Sequence, residues 1–304
     1  MNRIASINVD VDGLHLYYRI HGLSEDAAPG RGAIYTTGMS RFVDLLGEHG
    51  MRGTFFVVAE DLRDPAAREV VSRAVDEGHE IASHSHTHPY DLIRQDRAAM
   101  TDEIVRAEEA IGELTGSAPS GFRAPGYNTS PALLEILAER GYRYDSSSFP
   151  STPYYLAKAA VLGWYALRGR ASESILGSPR ILTTSRLPHV IDTAAGPLLE
   201  LPVTVLPWTR FPLIGTSLIA MGSSGWRMVR PFVKGVPFVN LEFHAIDLTD
   251  HAGDNIDDAL LRQPDQRTPL TQKKPLFDEV LRFLKDGWQI KTLEEVANAY
   301  TSSS

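Results

Sequence analysis

Cysteine is absent from the 304-residue chain. That excludes disulfides, zinc–thiolate centres and cysteine nucleophiles, and leaves His, Asp and Glu as the strong metal ligands. No block of lysines and arginines is present either: 30 basic side chains stand against 38 acidic ones, a formal net charge of -8. Such a chain offers no phosphate-tracking surface, so nucleic acid is not expected as a partner. Long hydrophobic runs are also missing. Residues 154–167, interrupted by Lys158, and residues 211–226, diluted by glycine and serine, fall short of the roughly 20 residues a spanning helix needs. The N-terminus reaches Asp10 without the extended apolar stretch of a secretory leader, so the expected compartment is the cytoplasm.

What is present is 43% hydrophobic residues, enough for one large α/β domain over residues 1–304. Strand-like and helix-like segments alternate: strand at 3–9, helix at 39–49, strand at 53–59, helix at 65–77, strand at 80–83. Residues 100–114 form an amphipathic pattern, with Ile104, Ala107, Ile111 and Leu114 on one stripe and Thr101 as its expected cap. Segments 121–124, 131–140 and 142–146 continue the alternation, which argues for a parallel sheet with crossover helices and a ligand site at the C-terminal strand ends. Over residues 150–237 the alternation fades into a Gly-, Pro- and aromatic-rich elaboration of the same domain, with a strand expected at 198–205. It resumes with a strand at 237–243, a helix at 275–285, a strand at 288–292 and a helix at 293–300. There is no internal repeat, and the only low-complexity feature is the serine tail at 302–304.

Five segments carry chemistry. Asn8-Val9-Asp10-Val11-Asp12-Gly13 ends the first strand, and residues two apart on a strand share a face, so Asp10 and Asp12 converge. An acidic strand end entering a turn would carry the same residues for backbone reasons. Gly78-His79-Glu80-Ile81-Ala82-Ser83-His84-Ser85-His86-Thr87-His88-Pro89 places three histidines within five positions. His84 and His88, four apart, can address one ion while His86 points elsewhere. With Asp12 they make a two-histidine, one-carboxylate set with positions left open. In Gly121-Phe122-Arg123-Ala124-Pro125-Gly126-Tyr127 an arginine leaves a strand before a tight turn, suited to pairing a carboxylate, with a turn N–H available to an oxyanion. The last two are Tyr144-Asp145-Ser146-Ser147-Ser148-Phe149-Pro150 and Leu241-Glu242-Phe243-His244-Ala245-Ile246-Asp247, where His244 follows a largely apolar strand.

Taken in order, these segments resemble the NodB-type polysaccharide deacetylases, also called carbohydrate esterase family four, over roughly residues 4–247. The stretch 78–89 matches the family's second motif most closely. The resemblance implies a distorted (β/α) barrel and a divalent metal, commonly zinc, held by Asp12, His84 and His88. It implies Asp10 as general base, Arg123 as its partner, His244 as general acid with Asp145 orienting it, and the Gly126 N–H at the oxyanion position. Three departures stand out: Val11 separates the two aspartates, the third motif reads Arg-Ala-Pro-Gly, and Phe149 is the aromatic nearest the fourth motif, where a tryptophan is common.

The expectation is therefore a metal-dependent hydrolase that removes an N-acyl group from an amino sugar. The competing readings are an amidohydrolase acting on a small ureide and a carbohydrate-binding barrel without catalysis. The apolar, aromatic segment 154–167, followed by Arg168 and Arg170, adds the expectation of peripheral contact with the inner face of a membrane and a lipid-linked substrate.

Overall fold

The computed structural model describes residues 3–21, 23–24, 28, 30–168, 175–254 and 256–301. Arg170 and the serine tail, both noted in the sequence, lie outside them. The strands are β1 (Ile4–Val11), β2 (Thr54–Val57), β3 (Glu80–Ser83), β4 (Gly121–Phe122), β5 (Tyr144–Asp145), β6 (His189–Thr193), β7 (Gly196–Glu200), β8 (Phe238–His244) and β9 (Gln289–Ile290). They form one sheet in the order β6-β7-β5-β4-β3-β2-β1-β8, with β9 also paired to β1. Every pairing is parallel except the β6–β7 hairpin. β1 is central and buried on both faces, with Ile7, Val9 and Val11 fully covered. From Ala5 to Val11 it nevertheless alternates strictly, because its second buried face carries Ser6, Asn8 and Asp10 toward the site.

The helices are α1 (Leu14–Ile20), α2 (Ser40–Glu48), α3 (Pro65–Asp76), α4 (Arg97–Thr115), α5 (Pro131–Glu139), α6 (Thr152–Leu167), α7 (Gly215–Val233), α8 (Pro264–Arg267), α9 (Leu270–Gly287) and α10 (Leu293–Thr301). Their starts follow local chemistry: the Asp64 side chain accepts from Ala66 N ahead of Pro65, and Ser130 caps α5 ahead of Pro131. Thr101 does not cap α4. The helix begins a turn earlier, where extended Asp96 accepts from Ala99 N at 2.9 Å, and Thr101 Oγ1 instead donates back to Arg97 O inside the helix. Likewise α9 starts at Leu270, so Pro275 lies within it.

The strand expected at 198–205 is shorter, because Pro202 has no N–H to give a ladder. The chain after β7 nevertheless bridges the two sides of the sheet: Leu201 N and Val203 N donate to Asp145 O and Ser148 O, and Thr204 N donates to Asn240 O on β8. This stitching bends the sheet into the distorted (β/α) barrel of the sequence reading. It also brings β1, β3, β4 and β8 to end at one rim.

Candidate metal and catalytic centre

At that rim β1 delivers Asp10 and Asp12, the loop after β3 delivers His84 and His88, β4 delivers Arg123 and β8 delivers His244. The parallel register sets Asp10 directly beside His244. Asp12 Oδ1 lies 3.4 Å from both His84 Nε2 and His88 Nε2, and all three side chains are buried. His84 Nδ1 is engaged by Arg123 O at 2.7 Å, which leaves Nε2 as its ligand atom. Asp12 Oδ1 and His88 Nδ1 are buried without a hydrogen-bond partner. Burial pushes the His88 imidazole down to about 3, so it is neutral, as a ligand must be. Burial opposes ionisation of Asp12, but His88 and His84 hold it below the usual carboxylate range. An orphaned carboxylate oxygen facing two imidazole nitrogens fits a divalent cation.

The loop carrying the histidines is under backbone strain, with Ser85 at φ 65 and His88 at φ 58. Its turn is held by Ser85 Oγ, which accepts from His88 N, and by buried Glu103 on α4, whose Oε1 accepts from His86 N at 2.9 Å and from Thr87 N. Glu103 lies inside the amphipathic pattern at 100–114, whose periodicity gives no sign of this role. His86 stands outside the triad, on the side of Arg106 and Glu113.

Asp10 is fixed by Arg123, whose Nη1 donates to Asp10 Oδ1 and Asn8 Oδ1 at 2.6 Å each. The remaining guanidinium donors reach Ser146 O and Ser146 Oγ, and the fully buried group lies 4.1 Å over the Phe56 ring. Asn8 had a readable signal, a polar residue two positions before Asp10 on the same strand face.

Asp145 is not the carboxylate beside His244. The β5–β7 register pairs it with Glu200, and its Oδ1 accepts from Ser147 Oγ at 2.6 Å. Burial raises Asp145, and burial together with Asp145 pushes Glu200 well up, so this pair favours holding a proton. His244 Nδ1 instead faces Glu242 Oε1 at 3.5 Å, and its Nε2 faces Asp12 Oδ2 at 3.9 Å. Tyr127 OH donates to the same Glu242 oxygen. Glu242 was missed although it sits two residues before His244 on one strand face. Burial pulls His244 down, but Glu242, Asp10, Asp12 and Asp247 outweigh it and raise the imidazole to about 9.

Asp10, Asp12, His84, His88 and His244 line the floor of a cavity of about 520 Å³. Gly126, at φ 62 in the turn after β4, is on its wall. Tyr154, Ala157 and Lys158 of α6, with Phe211 and Ile214 ahead of α7 and Ala220 within it, form a mainly apolar roof.

The two-histidine, one-carboxylate cluster at the C-terminal rim of this α/β sheet is a donor set that could hold a divalent ion. Residues 24–144 match the polysaccharide deacetylase family model, the family its motifs resemble. A peptidoglycan deacetylase of Helicobacter pylori is 30% identical over 126 residues, 39% of this chain and 40% of that protein. The chain thus spans well under half of that relative. Among solved structures, a Mycobacterium smegmatis protein described as a polysaccharide deacetylase shares the fold with a TM-score of 0.63 at 19% identity, covering 99% of this chain and 91% of that one. The PuuE allantoinase does so with a TM-score of 0.62 at 15% identity, covering 99% and 91%.

Proposed function

We propose that the protein is a divalent-metal-dependent hydrolase that removes an acetyl or formyl group from the nitrogen of an amino sugar of the N-acetylglucosamine type. The observation that supports this reading is the meeting, in one cavity, of the Asp12–His84–His88 cluster with two flanking acid–base groups, Asp10 and His244. When bound, a divalent ion, zinc being the first candidate, supplies Lewis-acid polarisation of the acyl carbonyl and makes water more acidic. Asp10, held in place by Arg123, takes the proton of the attacking water. The Gly126 N–H on the cavity wall meets the developing oxyanion. His244, with its raised pKa and with Glu242 at Nδ1, carries the proton that the departing amine requires.

The apolar roof favours a substrate that bears hydrocarbon, such as a lipid-linked amino sugar presented at the inner face of a membrane. The test is acetate and formate release from N-acyl sugars, run beside ammonia release from ureides. Release from the sugars is expected, abolished by chelation and restored by zinc. Full activity in demonstrably metal-free protein, or turnover confined to ureides, overturns the proposal.

A further inference from the structure

Lys158 is the cation that interrupts the apolar segment in the sequence, and α6 turns it into the roof of the cavity. Its Nζ donates to Gly126 O at 3.3 Å and lies 6.0 Å from the Tyr154 ring centroid. Every histidine lining the cavity has a carboxylate close by, but Lys158 has no carboxylate within ion-pair distance among the described residues. Burial alone accounts for its depressed pKa, about 8, which leaves it largely protonated at neutral pH. A charge partly withdrawn from water without a counter-charge is costly, and its neighbours Tyr154 and Ala157 offer none. A single carbonyl contact does not balance an ammonium group with three donors. Two donors remain for whatever enters the cavity beside Gly126.

We infer that Lys158 is a specificity-determining residue that binds an anionic oxygen group, a phosphate ester or a carboxylate, carried by the substrate near its acylated nitrogen. This deepens the amino-sugar reading and rests on it for the identity of the substrate, though not for the anion site. The ammonium pairs with the anion above the floor, and the apolar roof around it excludes water and strengthens the pairing.

Calorimetric binding to the full zinc-loaded chain tests this without requiring turnover, with N-acetylglucosamine, N-acetylglucosamine 1-phosphate and N-acetylmuramic acid as probes. At least one charged sugar is expected to bind about tenfold more tightly than the neutral one, and which of them does so separates phosphate from carboxylate. In Lys158→Met the advantage should fall to within about twofold while affinity for the neutral sugar is kept, and Lys158→Arg should preserve it. Unchanged neutral-sugar affinity also shows that the cleft remains folded. No advantage in the wild type, or an advantage that survives in Lys158→Met, overturns the inference. Acyl release, assayed separately on the same sugars, reports on the hydrolase reading, so either can fail alone.

Discussion

Asp10 and Asp12 are two residues apart on one strand, yet their surroundings assign them different work. Asp12 faces two imidazoles with a buried oxygen that no hydrogen bond satisfies, whereas Asp10 has its Oδ1 engaged by a fully buried guanidinium. Asp12→Ala is therefore expected to lose bound zinc and all activity. Asp10→Asn should keep the metal, because the amide oxygen still accepts from Arg123, but lose about 10² to 10⁴ in turnover for want of a base. Glu242→Gln belongs with Asp10→Asn: it removes the largest of the charges that raise His244 and should cost roughly tenfold in turnover with metal retained. Metal analysis alongside steady-state rates checks all three. Metal loss in Asp10→Asn together with retention in Asp12→Ala would reverse the two roles.

At the scale of elements, much of the fold is legible because a strand announces itself by a short apolar run or an alternation and a helix by its caps. β3 coincides with its expected bounds, and α3 and α5 with theirs to within a residue, each of these helices introduced by Asp or Ser followed by Pro. What stayed hidden depends on contacts distant in sequence. Helix α1, at seven residues, is too short to show a period, and α2 is preceded by a π-helical turn, Tyr35–Met39, that no local pattern marks. That turn is explained by packing: a Cβ on Gly38 would lie 2.0 Å from Ala245 O, so only glycine lets the helix seat against the turn that follows His244. The site shows the same division. The Asp12–His84–His88 cluster follows from motif spacing, and the Asp10–Arg123 pair from the family resemblance. The partner of His244 does not, because Asp145 and Glu242 lie on different strands and only the barrel decides which one the imidazole meets. Gly38→Ala should therefore destabilise the protein by about 1 to 3 kcal/mol through overpacking and lower kcat by displacing the His244 turn. Thermal unfolding and steady-state kinetics check it, and an unchanged Tm would mean that the two turns do not bear on one another.

Over the whole molecule, the barrel supplies the reactive floor and the elaboration at 150–237 supplies the roof, so the roof decides which substrates reach the floor. Its outer surface is unusually apolar: Leu167 is 89% exposed on α6 and Met228 75% on α7, with Leu156, Val161, Trp164 and Phe232 also exposed and Trp208 at 87%. Among the described residues no helix is long and apolar enough to cross a membrane, so such a surface would lie on a bilayer instead of entering it. Trp164 suits that position, an amphipathic ring with Arg168 4.1 Å over its face. The formal charge of -8 works against adsorption to anionic lipid, which makes the apolar contribution decisive and the effect of losing it large. We expect the protein to co-sediment with anionic vesicles. The double variant Trp164→Glu, Leu167→Glu should lose most of that binding, with turnover of a lipid-linked amino sugar falling several-fold while that of a soluble one is kept. The same apolar face could instead join two copies of the chain. That arrangement predicts a concentration-dependent dimer, seen by analytical ultracentrifugation without lipid, that the double variant dissociates. Absence of vesicle binding by the wild type, with equal turnover of soluble and lipid-linked substrates, would leave the apolar roof as the wall of a cleft for soluble sugars.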